Sequence, residues 1–148
     1  MSSMETGLFL ANYQIGTGEP GAPTLTLSLA VNTVHKSVHG IGEITQAVNP
    51  PVDVLTRVDG TYIPILILGS PSLLVEATGM PPVHFPPDRR RGMGHGPVVQ
   101  PNFYLRMVLG GAWEGGTAYY RYQNAEGHWV EVNDAPVKKV DIIARKAS

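Results

Sequence analysis

The sequence predicts an all-β fold, an antiparallel β-sandwich of about ten strands, with a β-barrel as the alternative. Apolar and polar residues alternate with a period of two in most segments, and no segment shows the 3.6-residue period of an amphipathic helix. The 17 glycines and 13 prolines fall mainly between these alternating segments, where turns are expected. With 148 residues, 43% of them hydrophobic, the chain is predicted to form a single domain over residues 1–148.

Residues 24–32 give the clearest strand pattern. Leu25, Leu27, Leu29 and Val31 fall on one face, and polar residues occupy most of the other. A helix would scatter these side chains around its surface, so the pattern indicates a strand with one buried face. The predicted strands are residues 8–15, 24–32, 37–45, 52–58, 61–68, 73–78, 102–109, 117–123, 129–132 and 137–144.

Asp59 and Gly60 predict a tight hairpin between strands 52–58 and 61–68. An Asp-Gly pair suits a type I′ turn, in which both central residues have positive φ. Both faces of the second strand are apolar, so we expect it to be central in its sheet or covered on both sides. Pro64 lacks an N–H group and predicts a bulge or a sheet edge at that point.

Residues 79–101 show no periodicity and are rich in proline and glycine, which predicts a long loop within the domain. The fixed charges of Asp88, Arg89, Arg90 and Arg91 sum to three minus one, or +2, in a chain of net charge -1. Two interpretations remain open. The arginines either keep a solvated loop soluble or bind an anionic or acidic partner through their guanidinium groups.

Aromatic residues give further candidates. Trp113 lies in a glycine-rich connection and is predicted either to pack on the core or to anchor a partner. On the strand at residues 117–123, Tyr120 and Tyr122 fall on one face, and Tyr119 and Arg121 on the other. We expect one packed face and one amphipathic face there.

No match to a common enzyme or metal-binding motif in the sequence defines a functional site. Residues 16–21 match the dinucleotide pattern G-x-G-x-x-G, but a strand follows where the motif requires a helix, so we reject it. His35 and His39 are weak candidates for metal ligands, since four residues along a straight strand separate them by about 13 Å. They converge only if a turn lies between them. We therefore predict no catalytic residue, no metal site and no cofactor, and favour a non-catalytic protein.

Composition and the search for targeting signals indicate the environment in which the protein is expected to work. The chain has no cysteine, which excludes disulfides, thiolate metal sites and a cysteine nucleophile. A net charge of -1 argues against specific nucleic-acid binding. No classical signal peptide and no membrane span are recognisable, so a soluble, cytoplasmic protein is expected by default, although non-classical export would leave no such mark.

Several segments of the sequence resemble a family of small uncharacterised bacterial proteins, catalogued as a domain of unknown function. They are residues 25–33, 40–51, 101–107 and 116–120. The resemblance covers roughly residues 7–140. It implies a bacterial, single-domain, β-rich protein, and it assigns no catalytic residue.

Two functional hypotheses follow from the sequence. The first is a non-catalytic module that binds another protein or an anionic surface, with the contact candidates Arg89, Arg90, Arg91 and Trp113. The alternative is a small-molecule or metal site, enzymatic or not, in the mouth of a barrel lined by tyrosine and histidine. The sequence does not determine the oligomeric state.

Overall fold

The computed structural model describes residues 7–82 and 100–141, and these residues form one closed antiparallel barrel. Each strand pairs with the next along the chain, and the last pairs with the first. The described residues contain no helix that is long and apolar enough to cross a membrane. The strands are β1 (Leu8–Ile15), β2 (Thr24–Asn32), β3 (Ser37–Gln46), β4 (Val52–Ile67), β5 (Ser70–Met80), β6 (Phe103–Gly110), β7 (Gly115–Gln123) and β8 (Trp129–Val140).

The predicted all-β class and the barrel alternative are confirmed, whereas the ten-stranded sandwich is wrong. Asn12 to Ile15 of β1 pair with Val140 to Val137 of β8, and this ladder closes the sheet on itself. The backbone N–H of Gly16 extends the seam with a hydrogen bond of 2.9 Å to the carbonyl of Pro136. Closure satisfies the two edges that an open sheet would leave exposed.

The predicted hairpin at Asp59 and Gly60 is wrong, because both residues lie inside the continuous strand β4. Asp59 occupies an ordinary outward position of the strand, where its register partner on β3 is His39. Gly60 faces inward against β5, where a Cβ atom would lie 2.1 Å from the carbonyl oxygen of Glu76. Glycine is required here for close strand packing rather than for a turn. The actual hairpin turn consists of Leu68 and Gly69, both with positive φ.

Strand β8 likewise joins two predicted strands. The predicted turn at residues 133–136 is a β-bulge, since Ala118 pairs with Ala135 but Tyr120 pairs with Val132. Two residues therefore oppose one on β7, and Asp134 takes a positive φ of 56° to accommodate the extra residue. The two mergers, in β4 and β8, account for the difference between ten predicted strands and eight observed ones.

The barrel interior is filled by inward-facing side chains, as the alternation of apolar residues predicts. Tyr13, Tyr120, Tyr122 and Phe103 are its largest fully buried side chains, packed among leucine, isoleucine and valine. The inward position of Tyr120 and Tyr122 and the half-buried outward position of Tyr119 confirm the predicted division of β7 into two faces. Eight strands enclose just enough space for side chains to fill.

The barrel has two different ends. At the turn end, short connections join the strands at residues 33–36, 68–69 and 111–114. At the loop end, the connections are longer, and one of them joins β5 to β6 over the region where the sequence predicts a long loop. β5 runs to Met80, so the first residues of that predicted loop belong to a strand, and residues 83–99 lie outside the described part of the chain.

Candidate functional site

Trp113 closes the turn end of the barrel. Its indole ring makes edge-to-face contacts with Phe9, at 5.4 Å between ring centroids, and with Tyr62, at 4.8 Å. Its backbone carbonyl accepts a hydrogen bond from the hydroxyl of Tyr13. The ring is half-buried and packs against the core, which is one of the two roles that the sequence allows. A role as a partner anchor stays a prediction.

The other sequence-predicted site residues are not brought together by the described structure. Arg89, Arg90 and Arg91 lie outside the described residues. His35 lies in the exposed turn after β2, whereas His39 lies on the outer face of β3 and pairs in register with Ala30.

His39 instead shares a hydrogen bond with an acidic residue of the next strand. Its Nδ1 lies 2.5 Å from Oδ1 of Asp59, and both side chains are exposed. Within residues 7–82 and 100–141, no group of three or more acidic, histidine or cysteine side chains could hold a metal ion.

A hairpin arm, residues 63–71, extends beyond the neighbouring strands at the turn end. The pairing of β3 with β4 ends at Ser37 and Thr61, and that of β5 with β6 begins at Ser72 and Gly110. Within the arm, β4 and β5 pair only with each other. Backbone groups along one edge of residues 63–67 therefore have no strand from β3 beside them.

The arm is uncharged and exposes large aliphatic side chains. The sequence from residue 61 to residue 75 contains no Asp, Glu, Lys or Arg. The side chain of Leu66 is 72% exposed, and Leu68 at the tip is fully exposed. Prominent aliphatic side chains without charged neighbours are a feature of contact surfaces.

A second feature is a groove of about 470 Å³ on the outer wall of the barrel, across β4 to β7. Two cross-strand rows of outward side chains line it. One row runs through Asp59, Thr78, Tyr104 and Arg121, which are register partners in succession. The parallel row consists of Glu76, Arg106 and Tyr119.

Arg121 lies against two adjacent aromatic rings beside this groove. Its guanidinium carbon lies 4.5 Å from the centroid of Tyr104 and 5.2 Å from that of Trp129. Trp129 lies on the outer wall and is 40% exposed. Stacking of this kind fixes the orientation of a guanidinium group and leaves its N–H edge available.

The groove was not predicted from the sequence. The alternation in β7 shows that Tyr119 and Arg121 share a face, but the sequence does not indicate which strands lie beside β7. The pairing of β7 with β6 and β8 brings Tyr104 and Trp129 against Arg121 and against each other, at 5.5 Å between the two ring centroids. The signal available in the sequence is aromatic residues at outward positions on three strands.

The fold and these surfaces define the class of protein: an up-and-down eight-stranded β-barrel with a packed interior, whose distinctive groups lie on its outer wall and at its turn end. Residues 6–129 match a family described as a domain of unknown function, DUF1842, and the chain belongs to this family. The predicted membership in an uncharacterised domain family is thereby confirmed. No curated protein matches the chain.

Proposed function

We propose that this domain is a non-catalytic binding module that contacts another protein through the arm, residues 63–71. The observation that carries the proposal is the position of Leu68. It is a fully exposed leucine at the tip of the arm, with a positive φ of 49°.

Folding alone gives no reason for a leucine at this position. A type I′ turn favours Asn, Asp or Gly, and the left-handed conformation costs an L-residue such as leucine about 1–2 kcal/mol. The exposed side chain recovers none of this cost by burial within the domain. A partner that covers Leu68 and Leu66 would supply the missing apolar contact.

The open edge of β4 supports the same function. Residues 63–67 present backbone groups that a strand of another chain could pair with, and the adjacent side chains are apolar. Pro64 removes one donor from this stretch, so a partner strand would have to start or bulge there. The predicted binding of an anionic surface by Arg89, Arg90 and Arg91 stays a separate prediction, as do the bacterial origin and the cytoplasmic location.

Site-specific photo-crosslinking tests the proposal. A photoreactive amino acid replaces Leu66 in one version of the protein and Thr26, an exposed residue on the outer face of β2, in the control. Crosslinking is carried out in cells of the organism that naturally produces the protein. The crosslinked products are identified by mass spectrometry. We expect a discrete protein adduct from position 66 that is absent from position 26.

The variant Leu68→Asn provides the matched test of specificity. Asparagine suits the turn, so the thermal midpoint should stay the same or rise. The adduct from position 66 should decrease strongly. Equal adducts from both positions, no protein adduct from either, or an adduct that is unaffected by Leu68→Asn would each contradict the proposal.

A further inference from the structure

The groove on the outer wall carries an inference independent of the arm. We propose that it binds a neutral, hydroxyl-rich ligand, namely a carbohydrate, with Arg121 as the principal hydrogen-bond donor and an aromatic side chain as the stacking surface. The groove volume of about 470 Å³ lies within the roughly 300–1,000 Å³ of small-molecule sites.

Arg121 is preorganised and has unused hydrogen-bonding capacity. Its guanidinium group lies against both Tyr104 and Trp129, whose ring centroids are themselves 5.5 Å apart, so the side chain is fixed before a ligand arrives. Among the described residues it forms no hydrogen bond and no ion pair, although its guanidinium carries five N–H donors. The available edge of such a group can donate to two adjacent hydroxyl oxygens, as it can to the two oxygens of a carboxylate.

The charges that line the groove distinguish between these ligand classes. Asp59 and Glu76 lie on β4 and β5, and Arg106 and Arg121 lie on β6 and β7, so the four formal charges of the lining cancel. His39, which contacts Asp59, does not line the groove. An anionic ligand that fills the groove would approach two carboxylates, and a cationic ligand would approach two guanidinium groups. A neutral polyol meets neither repulsion, because each hydroxyl group can donate to a carboxylate and accept from a guanidinium.

The remaining groups also suit a sugar. The carboxylate of Glu76 is held by Arg106, with 2.9 Å between Oε2 and Nε, which fixes both side chains in the wall. Tyr119 is half-buried beside Arg106 in the groove, and Thr78 offers an exposed hydroxyl group. Sugar rings have apolar C–H faces that stack on aromatic rings, and their hydroxyl groups bind at the rim.

The full chain, labelled with ¹⁵N, tests the assignment by two-dimensional NMR. The probes are neutral hexasaccharides of glucose, mannose, xylose and N-acetylglucosamine, added up to about 10 mM, which detects millimolar binding. The chain has two tryptophans. We expect saturable shifts of the Trp129 indole signal with at least one neutral probe, while the indole signal of Trp113, at the turn end, stays unmoved.

Two arginine variants locate the site. Arg121→Lys keeps the positive charge but removes the planar guanidinium group, which can donate two parallel hydrogen bonds. The variant should weaken binding about tenfold, as expected for loss of a charge-assisted hydrogen bond. Arg57→Lys is the matched control, because Arg57 is an exposed outward residue of β4 that does not line the groove. It should leave binding unchanged, and the spectra themselves report whether each variant is folded.

Three results would overturn the inference. The first is the absence of any saturable shift with all neutral probes. The second is tighter binding of a hexagalacturonate, an anionic probe, than of every neutral one, which would assign the groove to anions. The third is equal affinity of the Arg121→Lys and Arg57→Lys proteins, which would place the binding site elsewhere.

Discussion

The hydroxyl of Tyr13 donates a hydrogen bond to the backbone carbonyl of Trp113, with 2.9 Å between the two oxygens. This bond joins β1 to the turn between β6 and β7, across the end of the barrel that the indole ring covers. It also explains how Trp113 is held at a positive φ of 65°, a conformation that is unfavourable for a bulky residue. Side-chain packing on Phe9 and Tyr62 contributes to the same closure.

Removal of this hydrogen bond should destabilise the protein. In Tyr13→Phe the carbonyl of Trp113 loses its donor in a partly buried position, which costs about 1–3 kcal/mol. Urea unfolding followed by tryptophan fluorescence measures the change. A free energy of unfolding equal to that of the wild type would show that water replaces the lost donor without cost.

The matching substitution at Tyr120 should have the opposite effect. Tyr120 is fully buried, and its hydroxyl has no hydrogen-bond partner among the described residues. Tyr120→Phe removes a buried polar group without leaving another group unpaired, so the free energy of unfolding should stay unchanged or rise by about 1 kcal/mol. The same urea experiment compares it with Tyr13→Phe. A loss as large as that of Tyr13→Phe would indicate that the hydroxyl has a partner.

Alkaline pH should destabilise the barrel through its buried tyrosines. Burial raises the pKa of Tyr13 and of Tyr120 well above the ordinary value of 10.0, with smaller contributions from Glu114 and Tyr122 respectively. Their contribution to stability is complete below the unfolded pKa and is lost as pH rises above it, because the unfolded tyrosines then release protons that the folded ones retain. Each tyrosine should lower the free energy of unfolding by about 1.4 kcal/mol per pH unit in this range.

Urea unfolding at several pH values between 8 and about 11.5 measures this dependence. Tyr120→Phe is the control, since it removes one of the tyrosines whose pKa burial raises and should reduce the slope above pH 10 accordingly. An identical slope in the variant and the wild type would contradict the assignment of the effect to Tyr120.

A side chain at position 60 should disrupt the wall of the barrel. The Cβ atom of Gly60→Ala would lie 2.1 Å from the backbone oxygen of Glu76 and 2.6 Å from the Cα of Ala77, so strands β4 and β5 would have to separate. We expect a loss of about 3 kcal/mol or more in the free energy of unfolding. Thr61→Ala, at the adjacent outward position, is the control and should change it by less than about 0.5 kcal/mol. Similar losses in both variants would contradict the packing role of Gly60.

The buried hydrogen-bonded pair of Thr56 and Asn102 should stabilise the loop end of the barrel. The hydroxyl of Thr56 donates to Oδ1 of Asn102 at 2.7 Å, and Nδ2 of Asn102 donates to the carbonyl of Leu55 at 3.3 Å. Thr56→Val keeps the shape but leaves Oδ1 without this donor, at a cost of about 1–3 kcal/mol. Thr26→Val, on the exposed face of β2, should be close to neutral. Thermal unfolding of both variants compares them, and equal midpoints would contradict a role for the pair.

The sequence by itself determined the elements whose information is local. A period of two identifies β1 to β3 within a residue or two of their observed bounds, because burial of one face requires an apolar residue at every second position. The same alternation places Tyr120 and Tyr122 on one face of β7 and Tyr119 and Arg121 on the other. The family resemblance likewise depends only on the order of residues.

The features of the fold that depend on contacts between residues distant in sequence were decided only by the tertiary structure. Asp59 and Gly60 have the composition of a turn, but pairing with β3 and β5 extends β4 through them, since long ladders outweigh local turn preference. The choice of a barrel over a sandwich depends on four register pairs between β1 and β8, which no local pattern encodes. The groove and the exposed arm likewise depend on strand pairing and register, which determine which outward side chains meet and which strand ends extend beyond their neighbours.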